Sequence, residues 1–201
     1  LSPDEQKRLA SLYARAAAAA LPPNQARRAL RDWLAHHPAD AGAVSDLFQL
    51  VGDDPDLMVA ETVRLIEQAP LNEERYTNAL LQHGAPIESL SISIDSSDSP
   101  AEAMLAARLM ERQGETEEAI ASLKRVLGES GDSLARHAMT VLLIELLASQ
   151  GDIDQANLAI MSLGSPSDDA DRLLLARSLA VVGRFEEALD VLLPAVEPMA
   201  D

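Results

Sequence analysis

The residues best suited to chemistry in this chain are four histidines and several acidic clusters. His36 and His37 are adjacent, so on a helix they point about 100° apart and cannot grip one ion together. His83 and His137 each stand alone, and there is no HExxH pair at ligand spacing. Asp152 and Asp154 form a DxD pair, but a calcium loop needs further oxygen ligands and a central glycine. Both lie between two helical patterns, where an aspartate caps the second. Asp53, Asp54 and Asp56, and likewise Asp168, Asp169 and Asp171, read the same way. Glu117 and Glu118 recur as Glu186 and Glu187, which marks them as first-turn residues favoured by the helix dipole rather than an acid and base pair. No GxSxG, SxxK, GxGxxG or GxxxxGK[ST] occurs. The serines of 89–99 have no histidine or lysine placed to activate them. Cysteine is absent, so neither a disulfide framework nor a thiolate metal site is available. The chain therefore reads as non-enzymatic, with no metal and no cofactor.

The pattern that must position any working surface is a recurring helix pair. Counting back from Gly114, residues Met110, Ala107, Ala106 and Ala103 form one helical stripe. Counting forward, Ala119, Leu123 and Val126 form a second. Gly114 suits the left-handed turn that ends the first helix. From Gly151 the same offsets give Leu147, Ile144, Leu143 and Thr140, then Ala156, Ile160 and Leu163. From Gly183 they give Leu179, Ala176, Leu175 and Arg172, then Ala188, Leu192 and Ala195. An alanine follows the glycine by five residues each time, where the two helices should cross most closely. Gly52 and Gly84 share the register, and the intervals are 32, 30, 37 and 32 residues.

Helix pairs at a period near 34 residues resemble the tetratricopeptide repeat family, with degenerate repeats. The residues that carry the resemblance are Ala107, Gly114, Ala119 and Leu123, with Ala156 and Ala188 as equivalents. Ala26, Leu30, Trp33 and Pro38 match the family's second helix and closing proline. The resemblance implies an all-α, right-handed solenoid of about six helix-turn-helix repeats over residues 1–201. It also implies that the first helix of each pair lines a concave, ligand-binding face.

Along the chain, the first helix is expected to run to about Ala20 with Ala10, Tyr13, Ala14 and Ala17 inward. Asn24 and Asn72 are expected caps. Val44, Leu47, Phe48 and Val51, and later Tyr76 and Leu80, should be core. From Pro86 to Ile94 the period turns strand-like at Leu90, Ile92 and Ile94, so an irregular slot is expected near 85–99. It could divide the chain into half-solenoids 1–84 and 100–201. Later helices should cover about 100–113, 116–128, 133–149, 153–163, 168–181 and 184–197. The last is apolar on many sides, and the chain starts at Leu1. A fragment of a longer protein is therefore expected, with further repeats or a domain beyond Asp201.

The formal charge of −17 argues against nucleic acid or an anionic membrane as partner. No apolar run is long enough to span a bilayer. Aromatics are few, which disfavours a direct glycan site. On the resemblance, the groove positions fall ten, six and three residues before each glycine. The partner-binding candidates are Arg15, Asp46, Glu74, Asn78, Met104, Arg108, Val141, Glu145, Leu173 and Arg177. The lysine-based carboxylate clamp of chaperone adaptors is missing. The expected function is a scaffold that binds a protein partner through its repeat surface. The setting is read as a bacterial envelope assembly such as exopolysaccharide export, in the periplasm rather than the cytoplasm. The alternative is a structural spacer or an oligomerisation segment that self-associates through exposed end repeats.

Overall fold

The structure is a computed structural model that describes residues 3–52, 54–83, 99–129 and 134–193. The fold is all-α, with eleven α-helices and no strand among the described residues, as the periodicity predicts. The chain divides into two compact units, Leu1–Ser93 and Ile94–Asp201.

The first unit holds α1 (Pro3–Ala19), α2 (Pro23–His36), α3 (Ala41–Val51), α4 (Pro55–Gln68) and α5 (Glu73–Gln82), with a 3-10 turn at Pro70–Asn72. Helix starts follow the local chemistry. Pro23 and Pro55 occupy first-turn positions, where the missing N–H costs nothing. The Asp40 carboxylate accepts from the Ala43 N–H at 3.1 Å, and Asp54 accepts from Leu57 at 3.1 Å. Val44, Leu47, Phe48, Leu65, Ile66, Tyr76 and Leu80 build the core. α1 packs on α2 and α3, and α3 on α5, so the odd-numbered helices form a series of neighbours.

Two expected caps do not form. Asn24 lies inside α2, where its side chain accepts from Arg27 at 2.6 Å. Asn72 ends the 3-10 turn and makes no side-chain cap bond to α5. The inward stripe of α1 is also displaced. Ala18 is buried while Tyr13, Ala10 and Ala17 are exposed, so the helix is rotated from the expected register. The expected irregular slot at 85–99, with its strand-like run, lies outside the described residues except at Ser99, and so does Gly84.

The second unit holds α6 (Pro100–Gln113), α7 (Thr116–Glu129), α8 (Leu134–Ser149), α9 (Ile153–Ser162), α10 (Asp169–Val181) and α11 (Phe185–Leu192). Each pair closes with the same turn. Gly114 takes φ +84°, a left-handed conformation that lets the Glu115 N–H reach back to the Met110 carbonyl at 2.9 Å. The equivalent bonds run from Asp152 to Leu147 and from Arg184 to Leu179, both at 2.9 Å. Asp152 and Asp168 cap α9 and α10, as their placement predicts. Ala119, Ala156 and Ala188 are all buried at the crossing of their pairs.

Within this unit α6, α8 and α10 pack in series, while α7, α9 and α11 each lie against their own partner. This is a helical-repeat arrangement. The stripe of the last pair departs from expectation. Arg172 is exposed, and so is Leu192 at the position that Leu123 and Ile160 fill in the core. α11 ends at Leu192; the expected helix beyond Leu193 lies outside the described residues.

Candidate partner-binding face

The candidates sit on the serially packed helices, and most of the charged ones bond to one another. In the first unit Arg15 of α1 reaches Asp46 of α3 through two bonds, Nε to Oδ2 at 2.5 Å and Nη2 to Oδ1 at 3.0 Å. Hydrogen bonding to Asp46, opposed by burial, raises the Arg15 pKa further above its usual value. Gly42 makes room for this: a β-carbon there would collide with the Arg15 guanidinium. In the second unit Arg108 of α6 donates to Glu145 of α8 at 2.5 Å and to Glu111 at 3.0 Å. Glu145 also pairs with Arg177 of α10 at 2.6 Å. In the second unit the positions six residues before Gly114, Gly151 and Gly183 therefore form a charge ladder across successive helices. They hold the stack together as well as facing outward.

The apolar candidates separate by burial. Met104 is 0% exposed and Val141 3%, so neither offers a contact surface; this corrects their assignment to the groove. The physical reason is that the next helix in the series, α8 or α10, packs over α6 or α8. Leu173 of α10 is 54% exposed. Glu74 is exposed and Asn78 half-buried, both lining a cavity of about 370 Å³ between α3 and α5. His83 lies on its rim, 3.1 Å from the Ser45 hydroxyl and stacked on Phe48 at 5.8 Å.

Sequence reasoning missed a second concavity. A cleft of about 760 Å³ is lined by Arg8, Leu12, Arg15, Trp33, His36 and Asp40, among others. The Trp33 ring lies against His37 at 3.9 Å, tilted by 36°, and donates from Nε1 to Asp40 at 2.8 Å. Burial pushes the Asp40 carboxyl up. Bonds from Ser11, Trp33 and the Ala43 and Gly42 amides outweigh that and hold it below the usual carboxylate range. The signal that the sequence offers for it is the sole tryptophan beside the His36–His37 pair.

Two further ion pairs join helices of like position. Arg31 of α2 grips the buried Glu61 of α4, with Nε to Oε2 at 2.9 Å. His137 of α8 contacts Asp171 of α10 at 2.9 Å. The Ser167 hydroxyl and amide, then His137, hold the Asp171 carboxyl below its usual range. Among the described residues no helix is long and apolar enough to cross a membrane.

Residues 28–134 match the family model described as Enolase, C-terminal TIM barrel domain. No curated protein and no solved structure matches the chain. The family match overturns two expectations, membership of the tetratricopeptide family and the reading of the chain as non-enzymatic. The glycine register reports a hairpin geometry, and geometry of that kind does not specify a family.

A TIM barrel alternates eight parallel strands with helices over about 250 residues. The matched stretch runs from within α2 to the first residue of α8 and holds no strand among its described residues. Enolase-type chemistry sets a Lys or His base beside magnesium. In the matched stretch Asp40 and Asp54 cap helices, while Asp46 and Glu61 are held by arginines. Among the described residues no group of three or more His, Cys, Asp or Glu is placed to hold a metal ion. These residues do not fit a magnesium centre, and no reaction step is derived through one.

Proposed function

By its match over residues 28–134 the chain belongs to the family of enolase C-terminal TIM barrel domains, and we propose that it acts as a helical scaffold binding a protein partner through its repeat surface. One comparison carries this reading. Met104 and Val141 are 0% and 3% exposed, but Leu173, at the same place in the last pair, is 54% exposed. Leu123 and Ile160 are 0% and 5% exposed, but their equivalent Leu192 is 48% exposed. The α10–α11 end thus presents the residues that an added helix covers elsewhere in the same unit. Such a face suits an amphipathic helix with apolar anchors. Composition favours a bacterial envelope assembly, such as one exporting polysaccharide, as the setting.

The test is site-directed photo-crosslinking in the native cell, with the reactive residue at Leu173 or Leu189. A discrete protein adduct at both positions, and none from exposed Glu118 on α7, is the expected result. Absence of any adduct at Leu173 and Leu189 overturns the scaffold reading.

A further inference from the structure

We propose that the partner helix is α1 of a second copy of this chain, so that copies associate head to tail; this rests on the scaffold reading above. The two faces complement each other in register. On α11, Phe185 and Leu189 follow at i and i+4, and both are exposed beside Leu192 and the capping residue Leu193. On α1, Leu9, Leu12 and Tyr13 are exposed. Arg15 and Glu145 occupy equivalent rungs of the charge ladders, since each bridges to the next helix in its series. With those two aligned, Leu9, Leu12 and Tyr13 fall on Met139, Leu142 and Leu143 of α8. Those three are buried, and α8 packs against the preceding α7. α1 therefore leaves open the residues that a preceding helix covers, and α11 leaves open those that a following helix covers. Docking one on the other repeats the α7–α8 junction between two molecules.

Charge selects this pairing over the symmetric ones. Glu186 and Asp190 flank the α11 stripe, and Arg8 lies beside Leu9 and Leu12; all three are exposed. None of them has a hydrogen-bond or ion-pair partner among the described residues. Pairing α11 with its own copy sets four carboxylates together, and pairing α1 with its copy sets Arg8 against Arg8. Arg15 and Arg177 become neighbours in the mixed pairing, but Asp46 and Glu145 already neutralise them. A contact between two different faces is heterologous and repeats from copy to copy.

Sedimentation velocity on the purified chain tests this. The wild type should grow beyond a dimer as concentration rises. Leu189→Glu and Tyr13→Glu change exposed residues, so each should keep wild-type helicity by circular dichroism and sediment as a monomer. Mixed in equal amounts, they should form a complex of two chains and nothing larger, because each retains the one face that the other has lost. Arg8→Glu should weaken association about 2- to 5-fold, the range of an exposed ion pair, and Glu186→Arg in the same chain should restore it. A wild type that stays monomeric, a single variant that still associates, a mixture that does not pair, or a charge swap that fails to restore each overturns the proposal. Crosslinks in cells to a different protein, with the purified chain monomeric, overturn this inference and leave the scaffold reading standing.

Discussion

Arg108 on α6 and Glu145 on α8 lie 37 residues apart in the chain, and their side chains meet at 2.5 Å with little exposure of either. Glu145 is shared with Arg177, so one carboxylate ties three successive helices of the second unit. Removing one partner of a buried pair leaves an uncompensated charge and costs about 3 kcal/mol. Arg108→Ala should approach that loss in urea unfolding. Arg177→Ala, at a more open position, should cost no more than about 1 kcal/mol. Replacing the inner pair together, as Arg108→Met with Glu145→Leu, should recover most of the loss.

Gly42 and the Arg15–Asp46 pair form a coupled set in the first unit. A double-mutant cycle on Arg15→Ala and Asp46→Ala should give a coupling of about 0.5–1 kcal/mol. Repeated with Gly42→Ala, the cycle should give almost none, because the new methyl displaces the guanidinium. An unchanged coupling would show that Arg15 reaches Asp46 by another path.

The buried alanines at the pair crossings should resist enlargement. Ala119→Leu and Ala156→Leu are each expected to lower stability by about 1–3 kcal/mol through overpacking, read as a fall in the urea midpoint. Gly151→Ala should cost about 1 kcal/mol from its φ of +78°, since the space around that position is open.

Tyr76 is buried, and its hydroxyl donates to the Pro38 carbonyl at 2.9 Å. Burial outweighs the opposing charge of Arg75 and pushes its pKa from 10.0 up to about 12. Below pH 10 the phenol is neutral whether folded or unfolded, so its contribution is complete there. As pH rises from 10 to 12 the unfolded chain loses the proton first, and stability falls. Tyr76→Phe should flatten that alkaline limb while lowering stability at neutral pH through the lost hydrogen bond. A wild-type limb as flat as the variant's would refute the assignment.

Most of the helices were legible in the sequence, because glycine turns, aspartate caps and a fixed crossing alanine are local signals. Gly114, Asp152, Asp168 and Ala156 all do what their spacing predicts. Burial at the ends of a stack was not legible. Met104, Val141 and Leu173 occupy one register position, yet the first two lie under a neighbouring helix and the third does not. Tyr13 falls on the stripe that helical periodicity sets inward, and the rotation of α1 turns it outward. That the arginines and carboxylates among the groove candidates pair across helices was not legible, because it depends on distances between elements. The Trp33 cleft was missed for the same reason: its walls come from α1, α2 and the start of α3.

The turn after Gly114 is repeated bond for bond after Gly151 and Gly183. A hairpin duplicated or excised between two such turns would meet its neighbours in an unchanged register. Length is then a freely adjustable property of this architecture, and genetic slippage by whole hairpins could lengthen or shorten the molecule without redesigning any one joint.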